Sequence, residues 1–307
     1  MKASAPGKII LFGEHAVVYG RPALAVPVTQ VHADVDVSAS PRAGIWIEAP
    51  DIDLYTELNA IPSDHPLASV IHNLFFSLGI DPFPALDIRI TSTIPVASGL
   101  GSGAAVSAAL TRALAAFLSK PLTDEQVSSF VYEIEKIHHS TPSGIDNSVI
   151  AYARPVFFIK GKPIETFKVG TPFTIVIGDT GVSAPTKESV GDVRRLWTMD
   201  KVRWDSVFDE IGQIAMTACR AIQDGRPALL GGLMDQNQSL LQELTVSSPE
   251  LDRLVDAARK AGALGAKLSG GGRGGNMIAL VEAGLAETVS KSLTEAGAKR
   301  VIITRVE

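Results

Sequence analysis

The stretch Ile94-Pro-Val-Ala-Ser-Gly-Leu-Gly-Ser-Gly-Ala-Ala105 decides the fold. Behind it, Leu86 to Thr91 (LDIRIT) alternates apolar and polar side chains with period 2, the pattern of a half-buried strand. Ahead of it, Ala104 to Leu118 is alanine-rich and sets Val106, Leu110, Leu114 and Phe117 on one face, the pattern of a helix. A strand that enters a helix through a glycine-rich turn makes an anion site, because backbone N–H groups point outward and the helix dipole favours negative charge. The turn is neither a Walker A loop, since G-x-x-x-x-G-K-[ST] is absent, nor a dinucleotide fingerprint, since Gly99-Leu-Gly101 has no third glycine in register. Taken alone, a plain tight turn is the competing reading.

Toward the N-terminus, Val31 to Ser38 (VHADVDVS) is a second alternating strand. Ile9 to Phe12 is a short apolar run inside Ala5-Pro-Gly-Lys-Ile-Ile-Leu-Phe-Gly-Glu-His-Ala-Val-Val-Tyr-Gly20. Lys8 precedes that run and Glu14-His15 follow it, so they are expected at opposite ends of one short strand. A surface lysine and a solvated turn are the alternative.

Toward the C-terminus, Leu122 to His139 reads as a helix opened by the capping box Thr123-Asp-Glu-Gln126. Its apolar stripe is Val127, Phe130, Val131, Ile134 and His138. Glu135 falls on the flank of that stripe, where a partly buried carboxylate wants a cation, a metal or a donor; a snorkelling edge acid is the alternative. The helix runs into Glu135-Lys-Ile-His-His-Ser-Thr-Pro-Ser-Gly-Ile-Asp-Asn147, where Ser143-x-x-Asp146 competes as a purely structural capping box.

Beyond about residue 170 the pattern changes. Ser206 to Gln223, Pro227 to Leu244 and Pro249 to Ala261 read as helices. Then come Lys267-Leu-Ser-Gly-Gly-Gly-Arg-Gly-Gly-Asn276, a strand Met277 to Val281, a helix near Leu285 to Ala296 and a strand Arg300 to Val306. So dense a glycine cluster is entropically costly to order, so close backbone approach to a ligand or another loop is expected, with a flexible linker as the alternative. This order suggests an α+β half following an α/β-like half.

Composition sets the outer bounds. The 307 residues carry 28 Lys plus Arg against 33 Asp plus Glu, a net charge of −5, which argues against a general nucleic-acid binder. At 46% hydrophobic and 20% charged residues, disorder as the main state is excluded, and the length allows one large or two modest domains. The 27 glycines exceed average usage only modestly, so their positions matter more than their number. A single cysteine, Cys219, permits no intramolecular disulfide and no cysteine-based metal cluster, and fits a reducing, cytoplasmic home. No membrane or export segment is expected: no apolar run approaches the ~20 residues of a membrane helix, and Ile9 to Phe12 is too short for a signal sequence.

Together these segments resemble the GHMP kinase superfamily of galactokinase, homoserine kinase, mevalonate kinase and phosphomevalonate kinase, whose three motifs occur here in order over most of the chain. Pro6-Gly-Lys-x-x-Leu-x-Gly-Glu-His15, followed by Val17-Val-Tyr-Gly20 and Pro22-Ala-Leu24, resembles the mevalonate kinase family in particular. So do Thr141-Pro-Ser-Gly-Ile-Asp-Asn147 and Thr180-Gly, the latter followed by Thr186-Lys187 and Val193-Arg194.

The resemblance implies an α+β, two-domain GHMP kinase fold with the active site in the cleft between domains. Residues 1–168 would form an N-terminal ribosomal-protein-S5-like α/β domain that binds ATP. Residues 169–307 would form a C-terminal α+β ferredoxin-like domain with extra helices. It implies phosphorylation of the 5-hydroxyl of mevalonate by ATP with Mg²⁺, in isoprenoid biosynthesis, by a cytoplasmic homodimer. By position Asp146 would be the catalytic base and Lys8 its cationic neighbour, with Lys8, Glu14, His15, Asp146 and Thr180 on the mevalonate side and His15 as a partner for its carboxylate. Pro95, Ala97, Ser98, Gly99, Leu100, Gly101, Ser102, Gly103, Ala104 and Ala105 would cradle the phosphates, and Ser102 and Glu135 would bind magnesium.

Two positions depart from the family pattern. Its phosphate loop usually reads Gly-Leu-Gly-Ser-Ser-Ala, whereas here Gly101-Ser102-Gly103-Ala104 keeps one hydroxyl, so Ser102 would inherit the magnesium role only by adjacency, with room for a water in the gap. Arg273 stands where relatives are often small, and a phosphate or carboxylate contact and a solvated loop charge are equally open. The nearest competing activity is a kinase or decarboxylase acting on phosphomevalonate, which would call for basic residues that Glu14 to Tyr19 lacks. A non-catalytic ATP or ligand sensor is the other alternative: Lys8, Glu135 and Asp146 argue against it, and Gly103 leans toward it.

Overall fold

The computed structural model describes residues 1–95, 98–138, 143–183 and 186–307. Ala97, Thr141, Pro142 and the side chain of His138, all singled out above, lie outside the described residues. The chain forms two compact units: one gathers Met1–Lys8, Val31–Val96 and Leu100–Ala153, the other Ile9–Gln30, Ala97–Gly99 and Arg154–Glu307.

The first unit draws on β1 (Lys2–Phe12), β2 (Ala23–Ala39), β3 (Ile45–Ala49), β4 (Leu54–Glu57), α1 (Pro66–Leu78), β5 (Leu86–Ser92), α2 (Ser102–Phe117), α3 (Asp124–His138) and α4 (Ile145–Tyr152). The expected strand Val31 to Ser38 is the second half of the 17-residue β2. Its Val31, Ala33, Val35 and Val37 are buried, as are Leu86, Ile88 and Ile90 of β5, which pairs antiparallel with Ala33–Ala39. β5 also pairs parallel with β3, and β3 antiparallel with β4. The helix expected from Ala104 begins at Ser102, and its buried surface is wider than the predicted stripe. Val106 and Phe117 are only half-buried, whereas Ala104, Ala105, Ala108, Ala109, Ala113 and Ala115 are buried. Small side chains let α1, α3, α4 and β5 all approach α2. The predicted capping box opens α3: the Thr123 N–H donates to Gln126 Oε1 (2.9 Å), and the Gln126 N–H to Thr123 Oγ1 (3.2 Å).

The second unit adds β6 (Val156–Phe158), β7 (Glu165–Thr166), β8 (Phe173–Asp179), α5 (Thr186–Met199), α6 (Lys201–Gln223), α7 (Leu229–Glu243), α8 (Pro249–Lys260), β9 (Gly265–Ser269), β10 (Asn276–Val281), α9 (Ala286–Glu295) and β11 (Arg300–Val306). β6 joins Ala23–Ala25 of β2 on one side and β7 on the other. The four-stranded antiparallel sheet runs β11-β8-β10-β9, the ferredoxin-like order, with α5 to α8 inserted between its first two strands. Phe208, Ile211, Leu241, Leu254, Val289 and Leu293 from the helices close over Val176, Met277 and Ala279 of that sheet. The expected α+β class, with its ferredoxin-like second half, is therefore what the chain adopts. Among the described residues no helix is long and apolar enough to cross a membrane.

Candidate active site

Lys8 lies well inside β1 rather than at the start of a short strand, because pairing extends the strand back to Lys2. Only 5% of its surface is exposed, which excludes the solvated-lysine reading. Its Nζ stands 3.0 Å from Asp146 Oδ1, and its backbone N–H donates to Leu100 O (2.9 Å). The glycine turn is thus fastened to the strand at the residue that carries the amine. Gly101 makes that possible: with φ +79 and Lys8 Cγ only 3.1 Å from where a Cβ would sit, a side chain would be strained and would press on the lysine stem. Gly101 is also the N-cap of α2, and no side chain caps it. The first-turn N–H groups at Ser102, Gly103 and Ala104 therefore open toward an anion.

Asp146 sits in the first turn of α4, whose N-cap is Gly144 and lacks a side-chain cap bond. The capping-box alternative is corrected on this point. Ser143 stands one residue too early, and its Oγ accepts from the Ile145 N–H (3.3 Å), so the Asp146 carboxylate is left to face Lys8. Asn147 fixes α4 to α3, its Nδ2 donating to Ser128 O (3.1 Å) and Ser128 Oγ (3.0 Å). On α3, Glu135 is half-buried, as its place on the flank of the stripe predicts. Burial pushes its pKa up to about 7, the Asp146 charge adds to that, and Lys8 opposes it.

One ammonium thus faces two carboxylates, an excess of negative charge that favours a cation, and carboxylate with hydroxyl is the donor chemistry magnesium favours. Among the described residues no group of three or more His, Cys, Asp or Glu side chains can hold a metal unaided. A cation beside Glu135 therefore fits only with further oxygens from a hydroxyl, water or phosphate.

In the second unit, Glu14 and His15 follow β1 and are both buried. Glu14 is ion-paired with Lys267, whose side chain is fully buried and whose Nζ also donates to Leu268 O (2.6 Å). His15 Nε2 lies 3.1 Å from Gly271 O. A carbonyl only accepts, so Nε2 carries the hydrogen and Nδ1 the lone pair. Burial lowers the His15 pKa to about 4, with Arg273 and Lys267 adding to the effect against the Gly271 hydrogen bond. The imidazole is neutral near pH 7 rather than a cation set for a carboxylate. Thr180 Oγ1 donates to Gly275 O (3.0 Å) and accepts from the Val182 N–H (3.2 Å).

The glycine cluster is the loop of the β9–β10 hairpin, and it is packed rather than slack. A Cβ on Gly272, which has φ +74, would lie 1.9 Å from Val246 O. A Cβ on Gly274 would lie 2.5 Å from Val182 O, and one on Gly271 2.9 Å from Thr186 Oγ1. The linker reading is excluded, and the close approach is to neighbouring loops. Arg273 is not a free loop charge either. Its guanidinium pairs with Asp192 of α5 and its Nε donates to Thr245 O (3.3 Å), and the pairing holds the Asp192 carboxyl below its usual range.

Comparison with known proteins places these features. The family model described as the GHMP kinases N terminal domain matches residues 67–154, and the GHMP kinases C terminal model matches 216–299. The mevalonate kinase of Pyrococcus abyssi is 36% identical over 99% of this chain and 95% of its own length. The chain belongs to the mevalonate kinase family of GHMP kinases. The mevalonate kinase of Methanothermobacter thermautotrophicus is 31% identical over 90% of the chain and 89% of that protein. Among solved structures, the Methanococcus jannaschii mevalonate kinase superposes with TM-score 0.88 at 27% identity, covering 100% of this chain and 98% of that one. The L. major mevalonate kinase, solved in complex with R-mevalonate, gives TM-score 0.86 at 28% identity, covering 100% and 96%.

Within this mevalonate kinase family member, two described residues escape sequence reasoning. Lys267 is the buried partner of Glu14, and Asn276 donates through Nδ2 to Ser98 O, holding the near side of the glycine turn. The signal for Lys267 was available: a lysine inside an apolar strand, as at Lys8, calls for an acid. Asn276 carried no signal, since its acceptor is a backbone carbonyl.

Gly103 has open space around its Cβ position and an ordinary helical φ, so packing does not demand glycine there. Gly103→Ser is therefore expected to fold at least as stably as the parent, by about 0.5 kcal/mol from helix propensity. It is also expected to lower the Mg²⁺ concentration needed for half-maximal rate. An unaltered Mg²⁺ titration would show that the missing hydroxyl has no role.

Proposed function

We propose that the protein transfers the γ-phosphoryl group of ATP to the 5-hydroxyl of mevalonate, giving 5-phosphomevalonate for isoprenoid biosynthesis. The observation that carries this reading is the buried Lys8, 3.0 Å from Asp146 and bonded through its backbone to the uncapped glycine turn of α2. Phosphoryl transfer asks the protein mainly for an oriented nucleophile and charge stabilisation. Asp146 accepts the proton of the attacking hydroxyl. Lys8, its Nζ 3.0 Å from that carboxylate, stabilises negative charge on the nucleophilic oxygen. The backbone from Ser98 to Ala105, with Pro95 and Ala97 beside it, receives the ATP phosphates. Ser102 and Glu135 would hold Mg²⁺, which when bound supplies the divalent charge that offsets the phosphate oxygens. Glu14, His15 and Thr180 belong to the mevalonate side of the site.

We also infer a functional division at 168/169, within residues 155–215 that neither family model covers. A cytoplasmic homodimer completes the reading. The single, buried Cys219 supports the location, and light scattering of the purified protein tests the dimer.

An ADP-release assay with mevalonate, phosphomevalonate, homoserine and galactose tests the activity. ADP is expected only with mevalonate and Mg²⁺ together. Turnover on another alcohol, with none on mevalonate, overturns the substrate assignment.

A further inference from the structure

β9 and the glycine loop after it grip the end of β1 and the following turn at three points. Ser269 Oγ donates to Ile10 O (2.8 Å), Lys267 pairs with Glu14, and His15 Nε2 donates to Gly271 O (3.1 Å). The last two contacts fall on adjacent residues, and the backbone there is strained. His15 has φ 61 and ψ −49, and the Ala16 N–H donates to Glu14 O across it (2.7 Å). This is a γ-turn of the rare positive-φ kind, here centred on a residue with a side chain. Such a conformation persists only where its neighbours over-determine it, and strain of this sort gathers at functional sites.

The pair that does the holding is an expensive way to gain stability. Both side chains are at most 1% exposed, and an apolar pair of similar volume commonly stabilises a core as well or better. Holding one geometry is what the ion pair adds. We propose that Lys267 is a positioning residue for the acceptor-alcohol site, fixing Glu14 and through it the strained turn that orients His15. The proposal rests on the mevalonate reading for the substrate whose KM is measured.

The test uses Lys267→Met alone and together with Glu14→Gln. The single variant takes the ammonium away from a buried carboxylate and is expected to melt far below the parent. The double variant strands no charge and is expected to regain most of the melting temperature. It is not expected to regain the site: KM for mevalonate rises about tenfold or more, while KM for ATP, which is assigned to the glycine turn, stays within about threefold. Nitrogen NMR of the His15 imidazole near neutral pH supplies a readout without substrate. The parent should show the single Nε2–H tautomer, and the double variant a mixture. A double variant with parental KM, or with a parental His15 spectrum, overturns the proposal. If the parent itself shows no turnover of mevalonate, the substrate reading fails and the spectrum alone decides the role of Lys267.

Discussion

Asp146→Asn is expected to lose kcat by about 10³-fold or more while its melting temperature stays within a few degrees of the parent's. The substitution keeps the volume and the position in the first turn of α4 but removes the carboxylate proposed to accept the proton. Stability is spared for two reasons. The N-cap of α4 carries no side-chain cap bond, so the carboxylate is not what caps the helix. The Lys8 amine keeps a second carboxylate in range, since Lys8 is among the charges acting on Glu135. The Asp146 side chain is 32% exposed, so water screens part of its pair with the buried Lys8 amine and softens the cost of losing it. Steady-state ADP release and a thermal melt on the same preparation check both halves. A variant that keeps its rate and melts early would return Asp146 to a structural role.

How far the chain could be read follows from the range of each interaction. The Thr123–Gln126 box is local, so its two reciprocal bonds were legible from residue types and spacing alone. The Ser143–Asp146 spacing gives the same local signal, yet there Gly144 takes the N-cap instead. Spacing cannot distinguish the two, because the choice depends on a lysine far along the chain. β8, Phe173-Thr-Ile-Val-Ile-Gly-Asp179, is hydrogen-bonded to a strand on each side and largely buried, so it lacks the alternation that marked β5 and β2. The buried lysines are the hardest case. Composition rules place lysine outside, and only the acids that fold against Lys8 and Lys267 reverse that. The pairing of Lys8 with Asp146 joins two of the family's motifs, whereas packing such as Gly272 against Val246 carried no signal in the sequence.

Glu135→Gln is expected to make the protein more stable and less active. In the folded chain burial pushes the Glu135 carboxyl from the ordinary 4.5 up to about 7. The folded state therefore binds this proton more tightly than the unfolded state. The resulting stabilisation is full below 4.5 and is lost as pH rises through 7. At pH about 8 the parent holds a half-buried carboxylate beside Asp146 at a cost on the order of 2 kcal/mol, and glutamine removes that cost. Without metal, the variant should melt above the parent at the alkaline end, and the two curves should converge toward the acidic end. The same carboxylate is the one expected to receive Mg²⁺, so its proton and the cation compete. Parental affinity for Mg²⁺ should weaken as pH falls below about 7, and Glu135→Gln should raise the Mg²⁺ requirement about 10–100-fold at every pH. Thermal melts in chelator from pH about 5 to 8, with Mg²⁺ titrations of the ADP-release rate, measure both effects. Parallel melting curves for the two proteins would mean that Glu135 bears no uncompensated charge and has no electrostatic need of a cation. The opposed signs separate a ligand carboxylate from a structural one, because a structural acid that is replaced loses stability and leaves the Mg²⁺ requirement where it was.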